Sequence, residues 1–150
     1  KIGVRLEIIG GLHIWDTFPG VRHQEARDRI QASIKSNSEN ACACLHFADV
    51  YIRFTDGSVT RPDISIFCRR PNEQDEAITL VPEAVIEIIS KSSEAKDMEI
   101  APYFYLAQGV KDVVIFDPYT MFVLHARRDG RKTYTSPITI QFECGCQCQV

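Results

Sequence analysis

The stretch VPEAVIEIISK, residues 81–91, constrains the fold more than any other segment. Val85, Ile86, Ile88 and Ile89 are β-branched and nearly contiguous, so a strand built from them is apolar on both sides. Such a strand belongs inside a sheet that is covered on both faces, which calls for an α/β or α+β domain. One residue interrupts the run. Glu87 places a carboxylate in the middle of it, and burying a carboxylate without a partner costs several kcal/mol.

The neighbouring segments supply the layers that this strand needs. Leu6–Gly11 and Leu12–Trp15 read as short strands around the Gly10-Gly11 turn. Residues 22–35 place His23, Ala26, Ile30 and Ile34 on one helical stripe. Cys44–Phe54 and Val59–Phe67 read as two strands joined through Thr55-Asp-Gly-Ser58, a strong hairpin signal. A polar loop follows, then a short strand over Ile78–Leu80 and the apolar strand Ala84–Ser90. A helix from near Pro102 to Gln108 closes at Gly109. Asp112–Phe116 is a further buried strand, and Met121–Ala126 pairs with Lys132–Thr135 through Asp129-Gly130. The order predicts a mixed sheet flanked by helices, in one domain spanning residues 1–150.

Charge and cysteine usage bound the function. The net charge of −3 gives no overall attraction to nucleic acid, although small basic clusters occur at Arg69-Arg70 and around Arg127, Arg128, Arg131 and Lys132. There is no apolar run of about 18 residues to cross a membrane and no signal-peptide pattern at the start. The six cysteines are not arranged as the C-x-x-C pairs of zinc sites. In FECGCQCQV, Phe142, Cys144, Cys146, Cys148 and Val150 alternate with polar residues or glycine, the pattern of one strand with cysteines facing inward. Neighbours on one face of a strand are poorly placed for disulfides. The expectation is buried, reduced thiols in a cytoplasmic protein, with cysteine-bound metal, disulfides or a redox role as minor alternatives.

Asp63 follows Pro62 at the head of the apolar strand, and Glu87 lies in the next long one. If those strands are neighbours, the two carboxylates converge. Paired hard oxygen ligands suit Mg²⁺ or Mn²⁺, and a cation would relieve their repulsion. A strand-start aspartate and an Arg-paired glutamate are the plainer alternatives for the same two residues.

The longer string resembles a known family. Pro62-Asp63 on one strand, Glu87 to Ser90 on the next, Tyr105 to Val110 closing the helix, and Asp117-Pro118 ending a strand follow in order. Leu6-Glu7-Ile8-Ile9-Gly10 matches an opening E-x-x-G strand, and His23-Gln24 a helix start. This pattern, over roughly residues 6–126, resembles the Uma family, which is grouped with restriction endonucleases in the PD-(D/E)xK nuclease superfamily. The resemblance implies a restriction-endonuclease-like core and a divalent-metal site of Asp63, Glu87 and the backbone carbonyl of Ile88. It also implies hydrolysis of DNA phosphodiester bonds, and a homodimer as the working unit.

A lysine ordinarily completes such a site. The superfamily seat two residues after the glutamate holds Ile89, and the alternative seat, counted back from Tyr105 along the helix, holds Ala101. Lys91 is the expected catalytic substitute, with Lys96 as an accessory; ordinary solvated lysines are the simpler reading of both. Glu25 and Asp97 are further accessory candidates, each readable as a plain helix residue. His23 reads as a packed histidine, and His13, His46 and His125 show no zinc-site spacing. A degenerate nuclease fold kept for nucleic-acid binding or oligomerisation is the competing functional reading.

Overall fold

The computed structural model describes residues 4–17, 20–37, 42–91 and 96–150. Its strands are β1 (Val4–Ile9), β2 (Leu12–Thr17), β3 (Lys35–Ser36), β4 (Leu45–Ala48), β5 (Ile52–Arg53), β6 (Val59–Thr60) and β7 (Ile64–Phe67). They continue with β8 (Ala84–Ile88), β9 (Asp112–Asp117), β10 (Phe122–Arg127), β11 (Gly130–Thr135), β12 (Thr139–Gln141) and β13 (Cys146–Gln149). The helices are α1 (Val21–Ala32) and α2 (Ala101–Ala107), the latter preceded by a π-helical turn over Lys96–Ile100. No described helix is long and apolar enough to cross a membrane.

The apolar run sits where its chemistry requires. β8 is buried along its whole length, inside a six-stranded sheet of order β11-β10-β9-β8-β7-β4. Every pairing in that sheet is antiparallel except β8 with β9, which is parallel. A parallel neighbour needs a crossover, and α2 supplies it. Alternation along β8 sends Ala84, Ile86 and Ile88 into a core with Ala26 and Ile30 of α1 and the C-terminal strands. Val85 and Ile89 enter a second core with Ala101 and Tyr105 of α2. The sheet is therefore covered on both faces, as a two-sided apolar strand demands.

Two strands read from the sequence as continuous are each divided between two sheets. Cys44–Phe54 breaks at Asp49, whose φ of 56° turns the chain, leaving β4 in the six-stranded sheet and β5 in a four-stranded sheet of order β2-β1-β6-β5. Val59–Phe67 breaks at Pro62-Asp63 into β6 and β7 in the same way. Proline cannot donate to a ladder, so the break falls where the sequence puts it. The two breaks lie side by side, since Asp49 N–H donates to the Asp63 carbonyl at 3.3 Å. The Asp56-Gly57 turn closes as expected, with Gly57 at φ 88° and Phe54 N–H donating to the Ser58 carbonyl.

Other expectations need correcting. Helix α1 stops at Ala32 because the Ser33 hydroxyl donates to the Ile30 carbonyl at 2.6 Å, capping the helix short of Ile34. Only Ile78 of Ile78–Leu80 pairs with a strand, by one bridge to Ile52. The C-terminal cysteine segment is not one strand. A turn closed by Phe142 and Cys146, with Gly145 at φ 98°, precedes β13, which forms a three-stranded sheet of order β12-β13-β3. Cys146, Cys148 and Val150 still face inward. The expected reduced thiols are replaced by Cys42–Cys68 and Cys44–Cys146 disulfides, leaving Cys144 and Cys148 as thiols. Both bridges join separate segments rather than neighbours on one strand. The ground for expecting a cytoplasmic setting goes with the reduced thiols.

A buried acidic site at the seam of two sheets

Asp63 occupies the bend where β6 gives way to β7, and Glu87 lies on the adjoining strand β8. The two residues lock each other through the backbone. Asp63 N–H donates to Glu87 Oε1 at 2.9 Å, and Ile88 N–H donates to Asp63 Oδ2 at 2.7 Å. One oxygen of each carboxylate is thereby fixed by the opposite strand. The second oxygens meet side chains: Asp63 Oδ1 lies 3.0 Å from His23 Nε2 of α1, while Glu87 Oε2 lies 3.4 Å from both Lys96 Nζ and the Tyr105 hydroxyl.

Lys96 is the hub of the cluster. It leaves the π-helical turn ahead of α2 and reaches Glu7 Oε1 at 2.9 Å, Asp97 Oδ1 at 3.1 Å and Glu87 Oε2 at 3.4 Å. Glu7 comes from β1 in the four-stranded sheet, and its Oε2 accepts the Arg61 N–H at 2.7 Å. Glu7, His23, Asp63, Glu87, Lys96 and Asp97 are all buried. Four carboxylates thus face one ammonium and one imidazole in a region of low dielectric.

The electrostatics follow from that imbalance. Burial pushes the Glu87 carboxyl well above the usual range; the Lys96 ammonium opposes the shift, and Asp63, Asp97 and Glu7 add to it. Burial alone would lower the Lys96 pKa, but the charges of Glu87, Asp97 and Glu7 outweigh it and hold the ammonium well above the ordinary lysine value. Burial, followed by Glu87 and Glu7, raises the Tyr105 phenol. His23 Nδ1 is buried and has no hydrogen-bond partner among the described residues.

The residues expected from the sequence divide accordingly. Asp63, Glu87 and Ile88 lie together, and Lys96 and Asp97 join them. Lys91 is exposed in the turn after β8, and Glu25 is exposed on α1; neither belongs to the cluster. The lysine that reaches the carboxylates is Lys96 rather than Lys91, and among the described residues no arginine side chain contacts Glu87. Ile89 and Ala101, at the two vacant lysine seats, are packed in the core beneath α2. Glu7 and Tyr105 were seen in the sequence only as parts of motifs. The signal for Glu7 was present all the same: LEIIG sets a lone acid in an apolar strand, as VIEII does.

The donor set fits a small hard cation. Its ligands would be the oxygens of Asp63 and Glu87, held on adjacent strands, with excess negative charge around them. Magnesium takes one or two protein carboxylates and completes its shell with water and phosphate.

The six-stranded mixed sheet carries a helix against each face. Among solved structures the chain is similar, with TM-score 0.69 and 22% identity, to "a putative nuclease belonging to DUF820" from Anabaena variabilis; the match covers 90% of this chain and 79% of that one. No curated protein matches the chain. A family model described as "Putative restriction endonuclease" matches residues 2–143, and the chain belongs to that family, Uma2.

Proposed function

We propose that this protein hydrolyses DNA phosphodiester bonds with Mg²⁺ or Mn²⁺ bound by Asp63, Glu87 and the backbone carbonyl of Ile88. The observation that carries the reading is the reciprocal lock between Asp63 and Glu87 with the Lys96 ammonium against the second carboxylate. Bound there, the ion would polarise a phosphoryl oxygen and lower the pKa of an attacking water.

The chain's own groups supply the rest. The two backbone donors hold the carboxylates in one orientation, so no side-chain ordering is needed when a ligand arrives. Lys96, kept fully charged by its acidic neighbours, stabilises the charge that builds on the phosphate as the nucleophile adds. Asp97 and Glu7 position that ammonium through their contacts of 3.1 and 2.9 Å. His23, 3.0 Å from Asp63, orients the first carboxylate from the α1 side. Each chain carries one such cluster, so cleavage of both strands of a duplex would use a homodimer.

The test is plasmid cleavage with Mg²⁺ or Mn²⁺ against the same assay in chelator, together with Mn²⁺ binding by calorimetry. Metal-dependent nicking by the wild type, lost in Lys96→Met and kept in Lys91→Met, is the expected outcome. Failure of the folded protein to bind either ion at millimolar concentration would sink the reading.

A further inference from the structure

A second cluster of ligand atoms lies outside the acidic site. Five sulfurs from three separate parts of the chain converge: Cys42 and Cys44 before β4, Cys68 after β7, and Cys144 and Cys146 at the C-terminal hairpin. The sulfurs of Cys42, Cys44 and Cys146 all lie within 4.8 Å of one another, and so do those of Cys42, Cys68 and Cys144. Cys42 Sγ belongs to both groups. It is bonded to Cys68, yet also lies 3.5 Å from Cys146 Sγ and 4.0 Å from Cys44 Sγ.

Pairwise bridging does not need such a gathering, since a disulfide requires only one sulfur within reach of each cysteine. Three sulfurs drawn within 4.8 Å of one another can share one ion. A tetrahedral zinc–thiolate centre has Zn–S bonds of about 2.3 Å, which sets its sulfurs about 3.8 Å apart. The observed separations of 3.5 and 4.0 Å bracket that spacing. The surroundings suit a soft ion: Cys146 is wholly buried, and Cys42, Cys44 and Cys144 pack against the apolar core that includes Ile64, Ile66 and Phe142. The backbone brings the segments together, with Ala43 N–H donating to the Cys68 carbonyl at 3.0 Å and Asn37 N–H to the Gly145 carbonyl at 2.9 Å.

We propose that the reduced chain holds one zinc ion on Cys42, Cys44 and Cys146, the triple whose sulfurs lie within 4.8 Å of one another, with water completing the shell. The disulfide-bonded and metal-bound forms are alternative states of one cluster. A phosphine or thiol reductant delivers two electrons to each bridge, and each bridge takes up two protons to give two thiols. Zinc then binds the sulfurs of Cys42, Cys44 and Cys146 as thiolates as their protons are released. The ion ties the C-terminal hairpin to the segment ahead of β4, the strand that pairs with β7. This site is independent of the phosphodiesterase reading.

The experiment is metal analysis of the full chain purified in phosphine reductant, with cobalt substitution as the spectroscopic probe. About one zinc per chain is expected, with the sulfur-to-cobalt charge-transfer band and intense visible bands of a tetrahedral thiolate site. Cys44→Ala and Cys42→Ala, checked for fold by circular dichroism, should each weaken zinc binding at least about a hundredfold. Cys148→Ala, whose sulfur lies in neither group, should leave it unchanged. The wild-type cobalt spectrum stands as evidence even where a variant fails to fold. A reduced, folded wild type without stoichiometric metal, a cobalt spectrum lacking the sulfur band, or equal loss in Cys148→Ala would each overturn the proposal.

Discussion

Two buried acidic positions in the same six-stranded sheet behave in opposite ways. Asp112, at the start of β9, is satisfied on both oxygens: Oδ1 accepts from His125 Nε2 and Arg127 Nε, each at 2.6 Å, and Oδ2 accepts from Glu143 N–H at 2.9 Å. Burial works to raise its pKa, but those three donors win and the carboxyl ends below the usual range. Glu87, one strand away on β8, shares a single ammonium with Glu7 and Asp97, and its pKa ends well above that range. The first carboxylate is a clamp between β9, β10 and the C-terminal turn. The second is held in electrostatic debt to its neighbours, a state that adds nothing to stability and fits a group awaiting a cation. Neither burial nor the number of donors, three for each, separates the two; the like charges of Asp63, Asp97 and Glu7 crowded around Glu87 do.

Breaking each side of that contrast should give different losses. Asp63→Ala should reduce cleavage by at least about 10²–10³-fold, the scale of losing one preorganised charged group, while circular dichroism stays native. Asp112→Ala should leave His125 and Arg127 facing a hole and lower unfolding stability by about 3–5 kcal/mol in a denaturant titration. Glu87→Gln keeps the shape and the acceptor for Asp63 N–H but removes one crowded charge. It should raise stability by about 0.5–2 kcal/mol while abolishing cleavage, the trade expected where a site is built at the expense of the fold. A Glu87→Gln chain less stable than the wild type would show that its charge is balanced after all.

The smallest effect concerns acid. Because the folded pKa of Asp112 lies below its ordinary value of 3.8, its contribution to stability is complete above that value and fades as pH falls through the folded pKa. Asp112→Asn should therefore flatten the acid limb of the stability curve below pH 3.8, read from thermal melts. A mutant curve parallel to the wild type there would place the acid sensitivity elsewhere.

What was legible in the sequence was local. The β-branched run gave the central strand, and Asp-Gly pairs marked the hairpins, because each rests on chemistry within a few residues. The partition of two strands between two sheets was not legible, since it depends on the Asp49 and Asp63 breaks packing side by side. The convergence of Asp63 and Glu87 was legible as a motif. Lys96 was read only as an accessory because its polar segment carries no periodicity that fixes its path, whereas the chain winds it into a π-helical turn ahead of α2. The cysteines were read along one strand, while their partners come from segments as far apart in sequence as Cys44 and Cys146.

The contact between Lys96 and Glu7 spans 89 residues and ties the four-stranded sheet to the turn ahead of α2. It has a consequence for how this sequence can drift. A chain that lost Lys96 would leave Glu7, Glu87 and Asp97 crowded and uncompensated, and one that lost Glu7 would leave the Arg61 amide without its acceptor. Positions 7 and 96 can therefore change only together, and their pairing should be read as one inherited character rather than two.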